Sequence, residues 1–263
     1  MSTNFPEIQR GGSLILAYQI KDKHVLVIGG GDVAAGRILN ALNADAKVTV
    51  IAPSSGLNPE VAFRVSQNQI SHIDRKFEPS DLNNEPIHMA LCAIDDPEVS
   101  SQIWKLCKEK RIPANIADVP SECDFFFGSV YRNGPLQIMV STNGNGPKMA
   151  SMVRKQIAKK LPRRIGTAIT KVGMLRQRLR KAAPGPKEGK KRMRWMAQVC
   201  ESWSLDELID MNEKDMDALL GFYETGAIPS FAQILDQPYV NGVSYQKKDI
   251  STNLETFNSI NKP

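Results

Sequence analysis

The sequence predicts an α/β protein with an N-terminal Rossmann-like doubly wound parallel sheet, a small β-rich region and a C-terminal helical domain. Three observations indicate this fold class. Short apolar runs alternate with helix-like stretches in the first part of the chain, three consecutive glycines follow the first run, and the composition turns helical from Pro147 onward. A chain of 263 residues is long enough for two or three units with sizeable cores.

Strands and helices alternate in the first part of the chain. The strand predictions rest on short apolar runs, and the helix predictions rest on apolar residues repeated three or four positions apart. Parallel strands are predicted in "HVLVIG", "KVTVIAP", "ISHIDRKF", "IHMALCAI" and "IPANIAD". Helices are predicted in "DVAAGRILNALNAD" and "EVSSQIWKLCKEKR". This order predicts a nucleotide-binding domain over residues 1–115.

The chain changes character after residue 115. In "CDFFFGSVYRNGPLQIMVSTNG" two β-rich runs flank "RNG", which predicts a hairpin because Asn and Gly tolerate the positive φ of a tight turn. Helical stretches follow, with a capping box between Ser204 and Glu207 and a further helix capped by Asn212. We predict a β-rich central region over 116–147, a basic helical domain over 148–237 and a polar tail over 238–263.

The charge is unevenly distributed. The segment from Lys148 to Arg194 holds 17 of the 34 Lys and Arg residues but only one of the 28 Asp and Glu residues. The rest of the chain is therefore acidic, although the net charge of the whole chain is +6. A basic region of this kind attracts nucleic acid, an anionic membrane surface or a small polyanionic substrate, or it forms a solvated helical face.

Gly29, Gly30 and Gly31 follow the first predicted strand and open the first predicted helix. The pattern Gly29-x-Gly31-x-x-Ala34 fits the dinucleotide-binding fingerprint, with Gly29 for the tight turn, Gly31 for the approach of a pyrophosphate and Ala34 for close helix packing. The phosphates would lie at the N-terminus of the helix that starts near Asp32, where free N–H groups favour anions. The alternative is a glycine turn needed only for packing.

One part of the dinucleotide fingerprint is missing. After the second predicted strand, where an Asp or Glu usually binds the ribose, the chain has no acid between Asp45 and Glu60. Ser54 or Ser55 could bind the ribose instead. Without the carboxylate, the residues alone leave both NAD and NADP open.

Asp118 and the segment "STNGNGP" form a second group of polar residues. Asp118 lies at the end of the last predicted strand, beside the crevice where open α/β sheets bind ligands. The segment supplies Ser141 and Asn143, and Pro147 suits the first position of a helix. That helix would direct its free N–H groups and Lys148 toward an anionic group. The alternative role for Asp118 is that of a turn or capping residue.

The cysteines and the apolar segments predict a cytoplasmic protein. Four scattered cysteines without a Cys-x-x-Cys pair suit reduced thiols that pack as small apolar residues. The N-terminal stretch has only the short apolar run "LILAY", and no segment approaches the length that spans a membrane. We predict neither a secretory signal nor a membrane partner.

Three stretches in the order "VIGGGDVAAGRI", "NIADVPSECDFFFG" and "VSTNGNGPKMASMVRKQI" resemble the siroheme-synthase family, in particular its fungal-type bifunctional precorrin-2 dehydrogenase and sirohydrochlorin ferrochelatase. The likeness runs from about Leu14 to Cys200. It implies NAD-dependent oxidation of precorrin-2 to sirohydrochlorin, followed by insertion of Fe(II) to give siroheme. It also implies a homodimer formed through the central region over 116–147.

The resemblance implies roles for individual residues. The acid/base aspartate that the family uses in both steps falls on Asp118, and the serine near the tetrapyrrole site falls on Ser141. Nucleotide contacts beyond the three glycines fall on Asp32, Val33, Pro53 and Ser54. The family also lacks the ribose carboxylate, which favours NAD as the cofactor.

A tetrapyrrole with many carboxylates suits the basic stretch. Lys148, Arg154 and Lys155 lie nearest the predicted crevice, and Asp118 would accept the protons released in both reactions. The three histidines lie in or beside predicted strands, and no group of ligand residues has metal-binding spacing. Fe(II) is therefore predicted as a substrate, with no resident metal site.

Two other functions remain open from the residues. The first is a precorrin-2 dehydrogenase without chelatase activity, because both activities would use the same aspartate. The second is a nucleotide-sensing module whose basic helical region binds nucleic acid. The absence of a helix-turn-helix or an aromatic RNA-binding signature favours the enzyme, with no nucleic-acid partner.

Overall fold

The computed structural model describes residues 6, 8, 10–83 and 86–236. Two compact units divide the chain. The first contains the chain up to Val130 together with Met139–Gln156, and the second contains Tyr131–Ile138 and the chain from Ile157 onward. The polar tail predicted over 238–263 lies outside the described residues.

Five parallel strands form one sheet in the first unit, as the sequence predicts. The strands are β1 (His24–Ile28), β2 (Lys47–Ile51), β3 (Ser71–Ile73), β4 (Met89–Cys92) and β5 (Ala114–Ile116). Their order across the sheet is β3-β2-β1-β4-β5, and all four neighbouring pairs are parallel. The order changes direction at β1, and the carboxyl ends of the strands share the edge where such sheets bind ligands.

Successive side chains of β1 pack alternately into two cores, one on each face of the sheet. Val25 and Val27 pack with Ile38 on one face of the sheet, whereas Leu26 and Ile28 belong to the core on the other face. Helices cover both faces of a parallel sheet, so its central strand has no solvent-facing side. This explains why β1 appears in the sequence as a continuous apolar run.

Three helices cover the sheet. They are α1 (Asp32–Leu42), α2 (Pro59–Ser66) and α3 (Pro97–Glu109). Val61 of α2 joins the same core as α1, and Ile103 of α3 joins the opposite core. Helix α2 was not predicted from the sequence, because its eight residues include a single buried one and so give no apolar stripe.

A hairpin follows the sheet in the chain. Its strands are β6 (Ser129–Asn133) and β7 (Leu136–Val140), and Gly134 adopts a φ of +56° in the turn between them. This confirms the hairpin predicted from "RNG". The Asn133 side chain fastens the turn to the next segment, because its amide accepts from the Gly166 N–H at 2.9 Å and donates to the Arg163 carbonyl at 2.9 Å.

The second unit is helical. Helix α4 (Pro147–Lys160) begins in the first unit, and the remaining helices are α5 (Ile165–Ala182), α6 (Gly189–Ser202), α7 (Leu205–Asp210), α8 (Glu213–Leu220) and α9 (Phe231–Leu235). Leu175 and Leu179 of α5 pack with Trp195 and Val199 of α6 in the core. Both predicted caps are present: α7 begins with the Ser204 capping box and α8 with Asn212.

Candidate active site

The glycine turn after β1 is shaped by close packing. Gly29 has a φ of +108°, and a Cβ there would lie 2.1 Å from the Ala93 carbonyl oxygen. A Cβ on Gly30 would lie 2.5 Å from Cδ2 of Leu57. A Cβ on Gly31 would meet no atom within 4 Å, and Gly31 caps α1 without a side-chain hydrogen bond. The space beside Gly31 and the first N–H groups of α1 suit a pyrophosphate.

Asp32 joins the glycine turn to the start of α2. Its carboxylate accepts a hydrogen bond from the Asn58 side-chain amide at 2.5 Å, and the Asn58 backbone N–H donates to the Gly30 carbonyl at 2.7 Å. Asn58 also caps α2. Val33 is exposed on the first turn of α1. The bonds from Asn58 therefore hold the loop after β2 against the predicted phosphate site, and sequence reasoning missed this residue.

Ser54 lies beside an acid that the sequence analysis did not assign to the site. Pro53 precedes a short 3₁₀ turn that begins at Ser54, just beyond β2. The Ser54 backbone N–H donates to one carboxylate oxygen of Asp74 at 2.6 Å, and the Ser54 hydroxyl donates to the other at 2.5 Å. These hydrogen bonds hold the pKa of Asp74 below its ordinary value. Asp74 follows β3, the strand next to β2 in the sheet.

Asp118 lies in an exposed turn directly after β5. Its φ of +60° is in the left-handed region, which Asp tolerates better than most residues but which still costs about 1 kcal/mol. Within the described residues its carboxylate accepts no hydrogen bond and forms no ion pair. Asp118 therefore presents an unpaired carboxylate at the ligand-binding edge of the sheet.

Arg37 places a cation near Asp118. From the middle of α1 its guanidinium donates to the carbonyl of Cys92, the last residue of β4, at 2.9 Å and to the carbonyl of Asn115, in the middle of β5, at 3.2 Å. Burial lowers the pKa of Arg37, while its interactions with nearby cysteines and with Asp118 act in the opposite direction. Arg37 was not predicted as a site residue from the sequence, although it is the single basic residue of α1.

Ser141 and Asn143 lie in a loop that is fastened to the N-terminal segment. The Ser141 hydroxyl accepts from the Asn143 N–H at 3.1 Å. The Asn143 side chain donates to the Gly11 carbonyl at 2.6 Å and accepts from the Ser13 hydroxyl at 2.8 Å. In the described part of the chain, no hydrogen bond joins this loop to Asp118.

Lys148 and Arg154 both lie on α4. Lys148 is exposed on the first turn of the helix, which begins with Pro147 as the sequence predicts. Arg154 is half-buried and its Nε donates to the Ser129 hydroxyl at 2.9 Å. Lys148 is thus available to an anionic ligand, whereas Arg154 is oriented by the first residue of β6.

Asp124 and the histidines nearest the sheet have structural partners. The Asp124 carboxylate accepts from Lys108 Nζ at 2.6 Å and from the Ala114 N–H at 2.9 Å. His24 bonds Thr49, and His72 bonds a backbone carbonyl. Among the residues that the structure describes, no group of three or more His, Cys, Asp or Glu side chains is arranged to hold a metal ion. The same described residues contain no helix that is both long and apolar enough to cross a membrane.

The fold and the glycine turn define a protein with a Rossmann-like nucleotide-binding domain. A family model of NAD(P)-binding domains matches residues 16–129. Models of the central and C-terminal regions of sirohaem biosynthesis proteins match residues 133–160 and 162–229. The chain therefore belongs to the siroheme biosynthesis family.

Curated relatives agree with this assignment. A siroheme biosynthesis protein of Schizosaccharomyces pombe is 51% identical over 239 residues, which cover 91% of this chain and 90% of that protein. A siroheme biosynthesis protein of Saccharomyces cerevisiae is 31% identical over 242 residues, covering 77% of this chain and 87% of that protein. Siroheme synthase of Thioalkalivibrio sulfidiphilus is 35% identical over 148 residues, which are 56% of this chain but only 29% of that longer protein.

A solved structure shares the fold. SirC, a precorrin-2 dehydrogenase, superposes with a TM-score of 0.61 at 18% identity, covering 81% of this chain and 100% of that one. The comparisons confirm the predicted α/β fold class, the predicted role in siroheme biosynthesis and an NAD(P)-binding domain. They support the enzyme over the nucleic-acid-binding alternative.

Proposed function

We propose that this chain performs both final conversions of siroheme biosynthesis at one site, namely NAD-dependent oxidation of precorrin-2 to sirohydrochlorin and insertion of Fe(II) into sirohydrochlorin. The observation that carries the proposal is the exposed, unpaired carboxylate of Asp118 at the edge of the sheet that also bears the glycine turn. Each reaction needs a group that accepts protons from the substrate, and a carboxylate without a fixed partner suits that role.

One base is enough to accept the protons released in both reactions. In the oxidation the substrate loses two electrons as a hydride, and a carboxylate oxygen of Asp118 accepts the accompanying proton. In the metal insertion Fe(II) enters the ring and two pyrrole protons leave, again toward Asp118 and then to solvent. Arg37 would hold a substrate carboxylate beside Asp118, because its guanidinium is fixed by two backbone carbonyls.

The proposed cofactor contacts follow the turn after β1 and the loop after β2. Gly29, Gly30 and Gly31 shape the pyrophosphate site. Four further contacts are proposed on the elements that flank this turn: Asp32, Val33, Pro53 and Ser54. Two observations fit the cofactor: the open space beside Gly31, and the N-terminus of α1, where no side chain among the described residues accepts a hydrogen bond from the first N–H groups. Bound NAD supplies the hydride acceptor.

The proposed substrate contacts are cationic or polar. Lys148 is exposed, and Arg154 is oriented by Ser129, so both can pair with substrate carboxylates. Ser141 would add a hydroxyl contact. Asn143 supports the loop through its bonds to the N-terminal segment, so its contribution would be to hold Ser141 in place.

We further propose a homodimer. The central region over 116–147, through which the dimer is predicted to form, exposes the large apolar side chains of Phe126, Phe127 and Val130. The first unit also exposes large apolar side chains on its N-terminal segment and on α4, and exposed apolar patches of this kind mark protein–protein contacts. These further residues are Leu14, Ile15, Leu16, Met149, Met152 and Val153. Light scattering should report twice the mass of one chain, and Met152→Glu should shift it to a monomer. Met193→Glu, which changes another exposed methionine, is the matched control.

The cysteines support a reducing, cytoplasmic environment for the enzyme. All four are free, and burial raises the pKa of the Cys107 thiol to about 11. Burial also raises the pKa of the Cys92 thiol. Both thiols therefore stay protonated and unreactive at neutral pH.

Two incubations of the purified protein test the function. Precorrin-2 with NAD should yield NADH and sirohydrochlorin in equal amounts. Sirohydrochlorin with Fe(II) under anaerobic conditions, without NAD, should yield siroheme faster than the spontaneous reaction. If the second incubation proceeds only at the spontaneous rate, the chain is a dehydrogenase alone and the bifunctional proposal is wrong.

A further inference from the structure

Asp74 gives the predicted ribose site a negative charge that the second strand lacks. In Rossmann-like domains the acid that accepts hydrogen bonds from the ribose hydroxyls follows the second strand. Here Ser54 lies at that place. The carboxylate bonded to it comes from the end of β3, the neighbouring strand, since Ile51 of β2 pairs with Ile73 of β3.

Ser54 fixes the carboxylate in one orientation. Its backbone N–H and its hydroxyl each donate to a different oxygen of Asp74, at 2.6 and 2.5 Å. Each carboxylate oxygen can accept more than one hydrogen bond, so both retain capacity for a ligand hydroxyl. Asp74 is exposed, which leaves that capacity accessible.

The adjacent arginine does not neutralise Asp74. Arg75 donates to both carboxylate oxygens of Asp81, at 2.9 and 2.5 Å, and to the Lys76 carbonyl at 2.9 Å. The Asp81 side chain is only 2% exposed, so burial helps to hold this pair in place. The Arg75 guanidinium is therefore committed to Asp81 and is not presented to a phosphate.

We propose that Asp74 determines the choice of NAD over NADP. Held by Ser54, its carboxylate accepts a hydrogen bond from the ribose 2′-hydroxyl of NAD and repels the 2′-phosphate of NADP. The acid thus has the same chemical role as the one that usually follows β2, but a different strand supplies it. This inference rests on the proposed placement of the cofactor at Pro53 and Ser54.

Binding of the oxidised cofactors, measured by calorimetry without tetrapyrrole, tests the inference. Asp74→Asn keeps the size of the side chain and removes its charge. It should tighten NADP binding relative to NAD by at least about tenfold, the scale expected for a charge pair a few ångströms apart near a protein surface. Asp74→Glu should retain the preference for NAD. Asp45→Asn removes an exposed charge at the opposite edge of the sheet and should leave the ratio unchanged.

The outcomes separate selectivity from a purely structural role. If Asp74 only fastens the loop, Asp74→Asn and Ser54→Ala will weaken NAD and NADP in parallel, and an unchanged ratio overturns the inference. The same experiment distinguishes a failure of the cofactor placement. In that case Gly31→Asp would bind NAD as well as the unmodified chain does, whatever Asp74→Asn shows.

Discussion

The turns after β1 and after β5 lie at the same edge of one sheet but are built in opposite ways. After β1, backbone or side-chain atoms occupy the positions where Gly29 and Gly30 would carry a Cβ, and Asn58 fastens the turn to α2. After β5, Asp118 is exposed, left-handed and without a hydrogen bond in the described residues. Packing fixes the shape of the turn proposed to bind the cofactor, whereas the carboxylate proposed to accept protons is left exposed.

The contrast predicts different consequences of substitution. Changes in the turn after β1 should alter cofactor binding or folding and leave proton transfer intact. Changes in the turn after β5 should alter proton transfer and leave cofactor binding intact. Experiments at the two turns can therefore confirm or break this division of roles.

The largest effect is expected at Asp118. Asp118→Asn keeps the size of the side chain and tolerates the left-handed backbone, but it cannot accept a proton. We expect precorrin-2 oxidation to fall by about 10³-fold, within the range for loss of a general base, and metal insertion to fall sharply. Steady-state kinetics and NAD titration should show lost turnover with an unchanged Kd for NAD.

Asp95 provides the matched control for this variant. It is another exposed carboxylate that follows a strand, β4, at the same edge of the sheet. Asp95→Asn should retain full turnover. If it loses activity while Asp118→Asn does not, the base lies after β4 and the comparison of the two turns fails.

Gly31→Asp should have the next largest effect. The new carboxylate would occupy the open space beside the N-terminus of α1 and repel the pyrophosphate. We expect the Kd for NAD to rise by at least about 100-fold, because both space and charge oppose binding. Calorimetry measures the Kd, and sirohydrochlorin metallation should continue at the unmodified rate.

Gly36→Asp is the control for added charge. It lies on the same helix, and a Cβ there meets nothing within 4 Å. Its NAD affinity should match that of the unmodified chain. Loss of metallation in Gly31→Asp would show that the two activities share the nucleotide site or that the variant misfolds, and a thermal melt would separate these outcomes.

Gly29→Ala should affect folding more than binding. Its Cβ would lie 2.1 Å from the Ala93 carbonyl oxygen, and the φ of +108° is unfavourable for any residue with a Cβ. We expect the free energy of unfolding to fall by about 2 kcal/mol or more, as measured by urea denaturation. Gly31→Ala, where the space is open, should unfold at nearly the same urea concentration as the unmodified chain.

Arg37 interacts electrostatically with Asp118, and its loss should have a smaller effect. Arg37→Met removes the guanidinium that interacts electrostatically with Asp118 and that donates to the Cys92 and Asn115 carbonyls. We expect kcat/KM for precorrin-2 to fall about tenfold, mainly through a higher KM, because a charge-assisted contact is lost. Arg37→Lys keeps the charge and should recover part of the affinity. Equal losses in both variants, with unchanged KM, would argue against contact with substrate.

Local sequence patterns predicted much of the fold. In the site they indicated some residues but not the distant residues that these contact. The strand β1, the glycine turn and the hairpin were predictable because each depends on neighbouring residues. The bonds between Ser54 and Asp74 and between Arg37 and the Cys92 carbonyl join positions 20 and 55 residues apart. No local periodicity signals such pairs, so the sequence showed no acid after β2, whereas the structure brings the Asp74 carboxylate from the end of β3 to Ser54.

The smallest effect is expected at Asp124. This residue follows Asp118 in the chain, and replacing it tests whether its role is only structural. Burial alone would raise its pKa, but hydrogen bonds from Lys108 and the Ala114 N–H outweigh that effect and lower it. A carboxyl with a lowered folded-state pKa stabilises the fold above its ordinary pKa and loses that contribution as the pH falls. Asp124→Asn should therefore cost about 1 kcal/mol or less at neutral pH, and the difference should shrink progressively as the pH falls below about 4. Urea denaturation across this pH range measures the effect. If Asp124→Asn retains turnover within twofold of the unmodified enzyme, the proton-accepting role stays with Asp118. A large loss of turnover would instead assign part of that role to Asp124.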